Sequence, residues 1–149
     1  MRSALFALLL AYSVFANADQ LWAVGTVGSH HFERKNYCEA NMGVGFEYGG
    51  DTYRFVAGTY HNSLCYNSNY IGLAWSPLRF ADWRVGTAFL AVTGYKVKLD
   101  RQGKFSDDAA FAPLPFVSYE RKNFGANFLI VPPYDEFKGA IALQIKWKF

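Results

Sequence analysis

The chain has 149 residues, a formal net charge of +3 and an aromatic content of 19%. This length is enough for one domain of ordinary size. The net charge falls to +2 if Arg2 is removed with an N-terminal leader, and it is too weak to indicate a nucleic-acid partner. No long apolar segment follows the leader, so aromatic-rich strands are expected in place of membrane helices.

The first residues predict a secretory signal peptide. Arg2 precedes an apolar run of roughly a dozen residues, too short for a bilayer-spanning helix, and Ala16, Asn17 and Ala18 resemble a cleavage site. We expect residues 1–18 to be removed and residues 19–149 to form one barrel domain.

Eight segments with strand character follow the leader. In chain order they are 21–29, 41–48, 53–60, 70–75, 83–93, 114–119, 123–131 and 139–149. The last is the clearest, because Ile141, Ile145 and Trp147 share one face while Gln144 and Lys146 share the other. One face therefore suits lipid and the other a polar lumen.

An even set of antiparallel strands can close on itself. Closure removes the sheet edges, whose unpaired N–H and C=O groups would find no hydrogen-bond partner in a membrane. We therefore predict an all-β, eight-stranded antiparallel transmembrane barrel, too narrow for a general diffusion pore. Small inward residues such as Gly45 and Gly72 fit either a narrow internal slot or simple packing relief.

The connections predict which residues share an end of the barrel. With both termini in the periplasm, turns near 49–50, 76–82 and 120–122 lie inside, and longer connections near 30–40, 61–69, 94–112 and 132–137 face outward. Cys38 and Cys65 fall in the first two of the longer connections. A disulfide between them is therefore favoured over two free thiols in an exported chain.

The same outward end collects the residues that could carry chemistry. His30 and His31 end the first strand, and His61, Asn62 and Ser63 follow the third. Imidazole can take the proton of a serine hydroxyl near neutral pH, although histidine and serine are also common in solvated loops. We expect no metal, because adjacent histidines on an extended chain point to opposite faces.

Prolines mark the outward ends of two neighbouring strands. Pro113 and Pro115 begin the sixth strand, and Pro132 and Pro133 follow the seventh. Each lacks the N–H that a strand ladder uses, so inter-strand bonding should be absent locally. The prolines either only delimit the strands or open a lateral gap through which a lipid tail passes.

Taken together, these residues resemble the outer-membrane lipid A palmitoyltransferases, the PagP-type barrel enzymes, in order through nearly the whole mature chain. The resemblance rests on a first-strand histidine followed by Tyr37-Cys38-Glu39, the Asn62-Ser63 pair, the segment 70–78 ending in Trp75-Ser76-Pro77-Leu78, Pro113-Leu114-Pro115, Val131-Pro132 and the closing aromatic strand.

The resemblance implies a monomeric, cofactor-free outer-membrane enzyme that moves a fatty acyl chain from a glycerophospholipid to lipid A or another lipid acceptor. Its partners would be membrane lipids and no nucleic acid, and the acyl chain would sit in the lumen, entering at Pro113, Pro115 and Pro132.

Carried over residue by residue, the resemblance assigns catalytic roles to His31, with His30 as the alternative, and to Ser63. Asn62 occupies the position of the family's aspartate, so we expect it to orient or polarise rather than ionise.

The chain also departs from the family in lacking the amphipathic helix before the barrel. The alternative is a non-catalytic structural or surface-interacting barrel, which Asn62 and the missing helix favour. A lipid A deacylase is disfavoured, because no histidine follows His61.

Overall fold

The computed structural model describes residues 20–33, 36–95, 109–133 and 138–149, and the predicted signal peptide with its cleavage site lies outside these ranges. The described chain is all-β and closes into an eight-stranded antiparallel barrel, as the sequence predicts. Each strand pairs with its neighbours in the chain, and β8 closes the barrel on β1. Within the described ranges, we find no helix with the length and hydropathy needed to cross a membrane.

The strands are β1 (Gln20–His31), β2 (Gly43–Gly49), β3 (Tyr53–His61), β4 (Asn67–Phe80), β5 (Trp83–Val92), β6 (Ala110–Arg121), β7 (Phe124–Val131) and β8 (Ala140–Lys148). Short connections at 50–52, 81–82 and 122–123 lie at the end of the barrel where β1 begins and β8 finishes, which we call the turn end. At the opposite end, the loop end, β1, β3, β5 and β7 finish and β2, β4, β6 and β8 begin.

One predicted connection is wrong. The sequence places a turn at 76–82, but β4 runs to Phe80 and only Ala81 and Asp82 connect it to β5. Pro77 suggests a strand end because it lacks a backbone donor. The β4–β5 register shifts between Trp75 and Leu78, so the ladder passes around Pro77 and resumes.

The lumen near the turn end contains a charged section formed by Glu47, Arg54, Arg84, Glu120 and Lys146. Arg54 donates to Glu47 at 3.1 Å and to Glu120 at 2.6 Å. Arg84 and Lys146 donate to the same Glu120 oxygen at 2.8 Å and 2.7 Å. These buried charges compensate one another, which is the condition for keeping ions out of water.

The lumen next to the charged section is apolar. Its buried core consists of Val56, Tyr70, Ala74, Ala88, Leu90, Val92 and Phe116, and we call it the apolar section. Tyr70 packs over Gly58, where an added Cβ would lie 2.6 Å from its hydroxyl oxygen. At this point the glycine provides packing relief for a large ring rather than an empty slot.

Candidate functional site

A bulge in β1 decides which of the two adjacent histidines faces inward. Trp22 and Thr26 point into the barrel, and the β1–β8 register then shifts between Thr26 and Gly28. The extra residue reverses the alternation, so His31 is buried while the His30 side chain is 78% exposed. The sequence leaves both histidines open, and the bulge brings His31 to the inner face.

His31 and Ser63 meet at the loop end. Nε2 of His31 lies 3.0 Å from Oγ of Ser63, which is hydrogen-bonding distance for a base and the hydroxyl that it activates. The His31 ring stacks on Tyr37, with ring centroids 4.2 Å apart. The structure therefore brings together two residues that lie 32 positions apart in sequence.

Glu39 lies on the other side of the His31 ring, a contact that the sequence interpretation missed. Its Oε1 is 3.5 Å from His31 Nδ1 and accepts the His31 backbone N–H at 3.2 Å. That backbone hydrogen bond is the main cause that lowers the pKa of Glu39 below its usual value, so the carboxylate is ionised at neutral pH. In the sequence, Glu39 could have been found only because it follows Cys38, whose predicted disulfide joins its segment to the Ser63 loop.

Asn62 has no hydrogen-bonding capacity left for a substrate. Its amide nitrogen donates to Ser68 Oγ at 2.9 Å and to the Gly94 carbonyl at 3.0 Å. Its amide oxygen accepts the backbone N–H groups of Leu64 at 2.9 Å and Tyr66 at 3.0 Å. Two donors and two acceptor positions are thus filled, and the fully buried side chain shapes the loop that carries Ser63.

A disulfide ties the two halves of the site together. Cys38 and Cys65 are bonded, with their α-carbons 5.5 Å apart, and the Cys38 backbone N–H donates to the Ser63 carbonyl at 2.9 Å. Cys38 precedes Glu39, and Cys65 follows Ser63 by two residues. The bond therefore fixes the Glu39 segment against the Ser63 loop.

Tyr95 lies at the loop end, three residues after the end of β5. Its hydroxyl lies 3.0 Å from that of Tyr60, and its ring packs against the apolar section. Burial raises the pKa of Tyr95, and hydrogen bonds with Tyr60 and Ser63 lower it in part. The net shift is upward, so the hydroxyl keeps its proton at neutral pH.

An open cleft of about 600 Å³ borders His31 on the outside of the barrel end. It is lined by His30, His31, Phe32, Glu33, Asn36, Tyr37 and Glu39. Within the described ranges, no cluster of three or more His, Cys, Asp or Glu side chains could hold a metal ion. The cleft therefore offers imidazole, carboxylate and phenol groups to whatever occupies it.

The β6–β7 ladder stops before the loop end. The paired residues run from Arg121 and Phe124 up to Phe116 and Leu129, although β6 continues to Ala110 and β7 to Val131. Pro113 and Pro115 lie in the part of β6 that pairs only with β5. The structure thus has a break in the wall where the prolines predict missing bonds, and Pro132 immediately follows β7 on the other side.

Compared with protein families and with curated proteins, this chain matches no family model and no curated sequence.

Proposed function

We propose that this protein is an outer-membrane acyltransferase of the lipid A palmitoyltransferase type, moving a fatty acyl chain from a glycerophospholipid to lipid A or another lipid acceptor. The observation that carries the proposal is the Ser63–His31 pair, 3.0 Å apart, beside the apolar section of the lumen. A nucleophile with its base, in a barrel whose lumen has apolar side chains, fits an ester of a long acyl chain.

The proposed reaction uses one serine and one histidine in two steps. Ser63 Oγ attacks the donor's ester carbonyl, its proton passes to His31 Nε2, and the donor oxygen leaves with that proton. The acceptor hydroxyl then attacks the acyl-serine, His31 takes its proton, and Ser63 Oγ recovers the proton as it leaves. No cofactor is needed.

The outward surface supports the membrane part of the proposal. Val44 is 68% exposed and Ile71 is 52% exposed, and both belong to a band of exposed aliphatic side chains. Exposed aromatic side chains collect around the turn end: Tyr48, Tyr53, Trp75, Trp83, Phe124 and Trp147. A band of apolar residues bordered by a belt of aromatic residues is typical of outer-membrane barrels and rare on soluble monomers.

The break in the β6–β7 ladder supplies a route for the acyl chain. Ala112 and Leu114 line its β6 side and Leu129 its β7 side, and all three pack against the apolar section. In the proposed function, a phospholipid tail enters the lumen from the membrane at this break. Pro113 and Pro115, which face outward, keep backbone donors away from it.

The test is mass spectrometry of lipid A and phosphatidylglycerol from Gram-negative cells that express the chain or its Ser63→Ala variant. We expect a lipid that gains one acyl chain, and a matching lysophospholipid, with the wild-type chain and not with Ser63→Ala. His61→Gln is the matched control, because His61 also lies at the loop end and bonds to Asn67. This control should match the wild type.

Other outcomes would reject the proposal. Unchanged lipids in every strain, with the barrel shown to be folded in the membrane by heat-dependent gel migration, would favour the non-catalytic barrel. Release of free fatty acid without an acylated acceptor would identify a hydrolase that uses water in place of a lipid hydroxyl.

A further inference from the structure

The Glu39 carboxylate lies against the site but has no part in the two-step reaction. It contacts His31 at the ring nitrogen opposite to Ser63, with Oε1 3.5 Å from Nδ1. A histidine that accepts a proton at Nε2 must carry its own proton at Nδ1. A carboxylate 3.5 Å from Nδ1 favours a proton on that nitrogen through its negative charge.

We propose that Glu39 is the positioning residue of this site, holding His31 in the tautomer that leaves Nε2 free to accept the Ser63 proton. The kinetic consequence of this role depends on the proposed function, but the effect on the imidazole does not.

Three contacts hold Glu39 in place for this role. Its carboxylate accepts the His31 backbone N–H, and its carbonyl accepts the Ser29 backbone N–H at 2.9 Å. The disulfide of the preceding Cys38 fixes the same segment to the Ser63 loop. The position of Glu39 therefore depends on the strand that carries the base and on the loop that carries the nucleophile.

The surroundings of the His31 ring restrict its other choices. Tyr37 stacks on one face of the ring, and the bulged end of β1 directs the ring into the barrel. The exposed His30 approaches the same Glu39 oxygen at 3.7 Å from the outside. A change at Glu39 should thus alter how the protons of His31 are distributed more than where the ring lies.

The expected effect is smaller than in a buried triad. The Glu39 side chain is 51% exposed, so water screens its interaction with the imidazole. Removing the acid of a buried triad costs about 10⁴-fold in rate. For Glu39→Ala we expect a loss of about 10- to 100-fold in kcat with little change in KM, because solvent screening weakens the carboxylate.

The first experiment does not depend on catalysis. The full chain, uniformly labelled with ¹⁵N and folded in detergent micelles, is studied by NMR of the histidine ring nitrogens, with His31→Gln used for assignment. We expect neutral His31 to carry its proton on Nδ1 in the wild type, and the Nε2–H form to increase in Glu39→Ala. Glu39→Asp, which keeps the charge, should restore most of the wild-type distribution.

The second experiment measures kcat and KM for acyl transfer with the same variants. Asp51→Asn is the matched carboxylate control, because Asp51 is exposed at the turn end and pairs with Arg79. A lower kcat in Glu39→Ala, recovered in Glu39→Asp and absent in the control, supports the positioning role.

The two failures are distinguishable. Identical tautomer populations in the wild type and Glu39→Ala would overturn the role of Glu39, whatever the lipids show. A tautomer change in a chain without lipid activity would instead support Glu39 as the residue that sets the His31 tautomer and reject the acyltransferase.

Discussion

The charged section at the turn end and the His31–Ser63 site at the loop end are both polar, but they are built in opposite ways. Glu120 accepts hydrogen bonds from Arg54, Arg84 and Lys146, and all four side chains are at most 8% exposed. His31 lies between one serine and a half-exposed carboxylate, next to an open cleft.

The polar groups of the charged section stabilise the fold, whereas those of the His31–Ser63 site are available for a reaction. Buried ions that compensate one another hold the barrel together and offer little to a third molecule. A base and a nucleophile beside open volume can form new bonds with a substrate. Variants at the two ends should therefore divide into those that change stability and those that change activity.

The largest effect is expected at His31. His31→Ala removes the base, and we expect acyl transfer to fall by about 10³-fold or more, as in serine enzymes that lose their histidine. The folded barrel should remain, because the charged section is untouched. Transfer is measured by mass spectrometry and folding by heat-dependent gel migration, and an active His31→Ala barrel would contradict the site.

At the turn end, Glu120→Gln should act on stability instead. The substitution leaves Arg54, Arg84 and Lys146 without their shared carboxylate, and we expect a loss of about 3–5 kcal/mol in the free energy of unfolding. Urea titration monitored by tryptophan fluorescence measures this loss. Transfer per folded molecule should stay at the wild-type level, and an equal fall in activity would remove the distinction between the two ends.

Asn62→Asp tests whether Asn62 stands in for a catalytic acid. A carboxylate cannot donate to Ser68 or to the Gly94 carbonyl, so we expect a loss of about 1–3 kcal/mol in stability and lower transfer. The same titration and lipid assay apply to this variant. A gain in activity would instead show that the position acts as an acid and that Asn62 is a weakened form of it.

The smallest effect is expected at the break in the wall. Replacing Pro113 and Pro115 with Thr adds N–H groups that can bond across to β7. Transfer from bilayer phospholipid should slow, while cleavage of a short, water-soluble ester should be unchanged. Pro77→Thr on β4 is the matched control, and equal rates for the double variant and the wild type would reject this route.

Much of the fold could be predicted from the sequence, because apolar and polar residues alternate along a strand according to the face on which they lie. The closing strand shows this, since its outward Ile141 and Ile145 and its inward Lys146 lie as the pattern indicates. The turn at 76–82 could not be predicted correctly. Proline usually interrupts a ladder, and only the observed register shows that β4 continues past Pro77.

The site could be predicted only in part. The sequence places His31 and Ser63 at one end of the barrel, but their separation depends on loop paths that local patterns do not record. Glu39 was missed because a carboxylate in a loop has no periodic signal. The hydrogen bonds of Asn62 were missed because they involve Ser68 and Gly94, and they depend on how distant parts of the chain pack.

Because of the bulge in β1, the number of residues between the bulge and the site decides which histidine faces inward. β1 consists of two half-strands in opposite phase, one that places Trp22 among the charged groups and one that delivers His31 to Ser63. Val27 is the residue that the β1–β8 register skips, so deleting it would remove the bulge and leave His31 facing inward, whereas deleting Ser29, beyond the bulge, would bring His30 to the inward position and turn His31 outward. A single-residue deletion, with no change to any side chain of the site, would thus exchange the base.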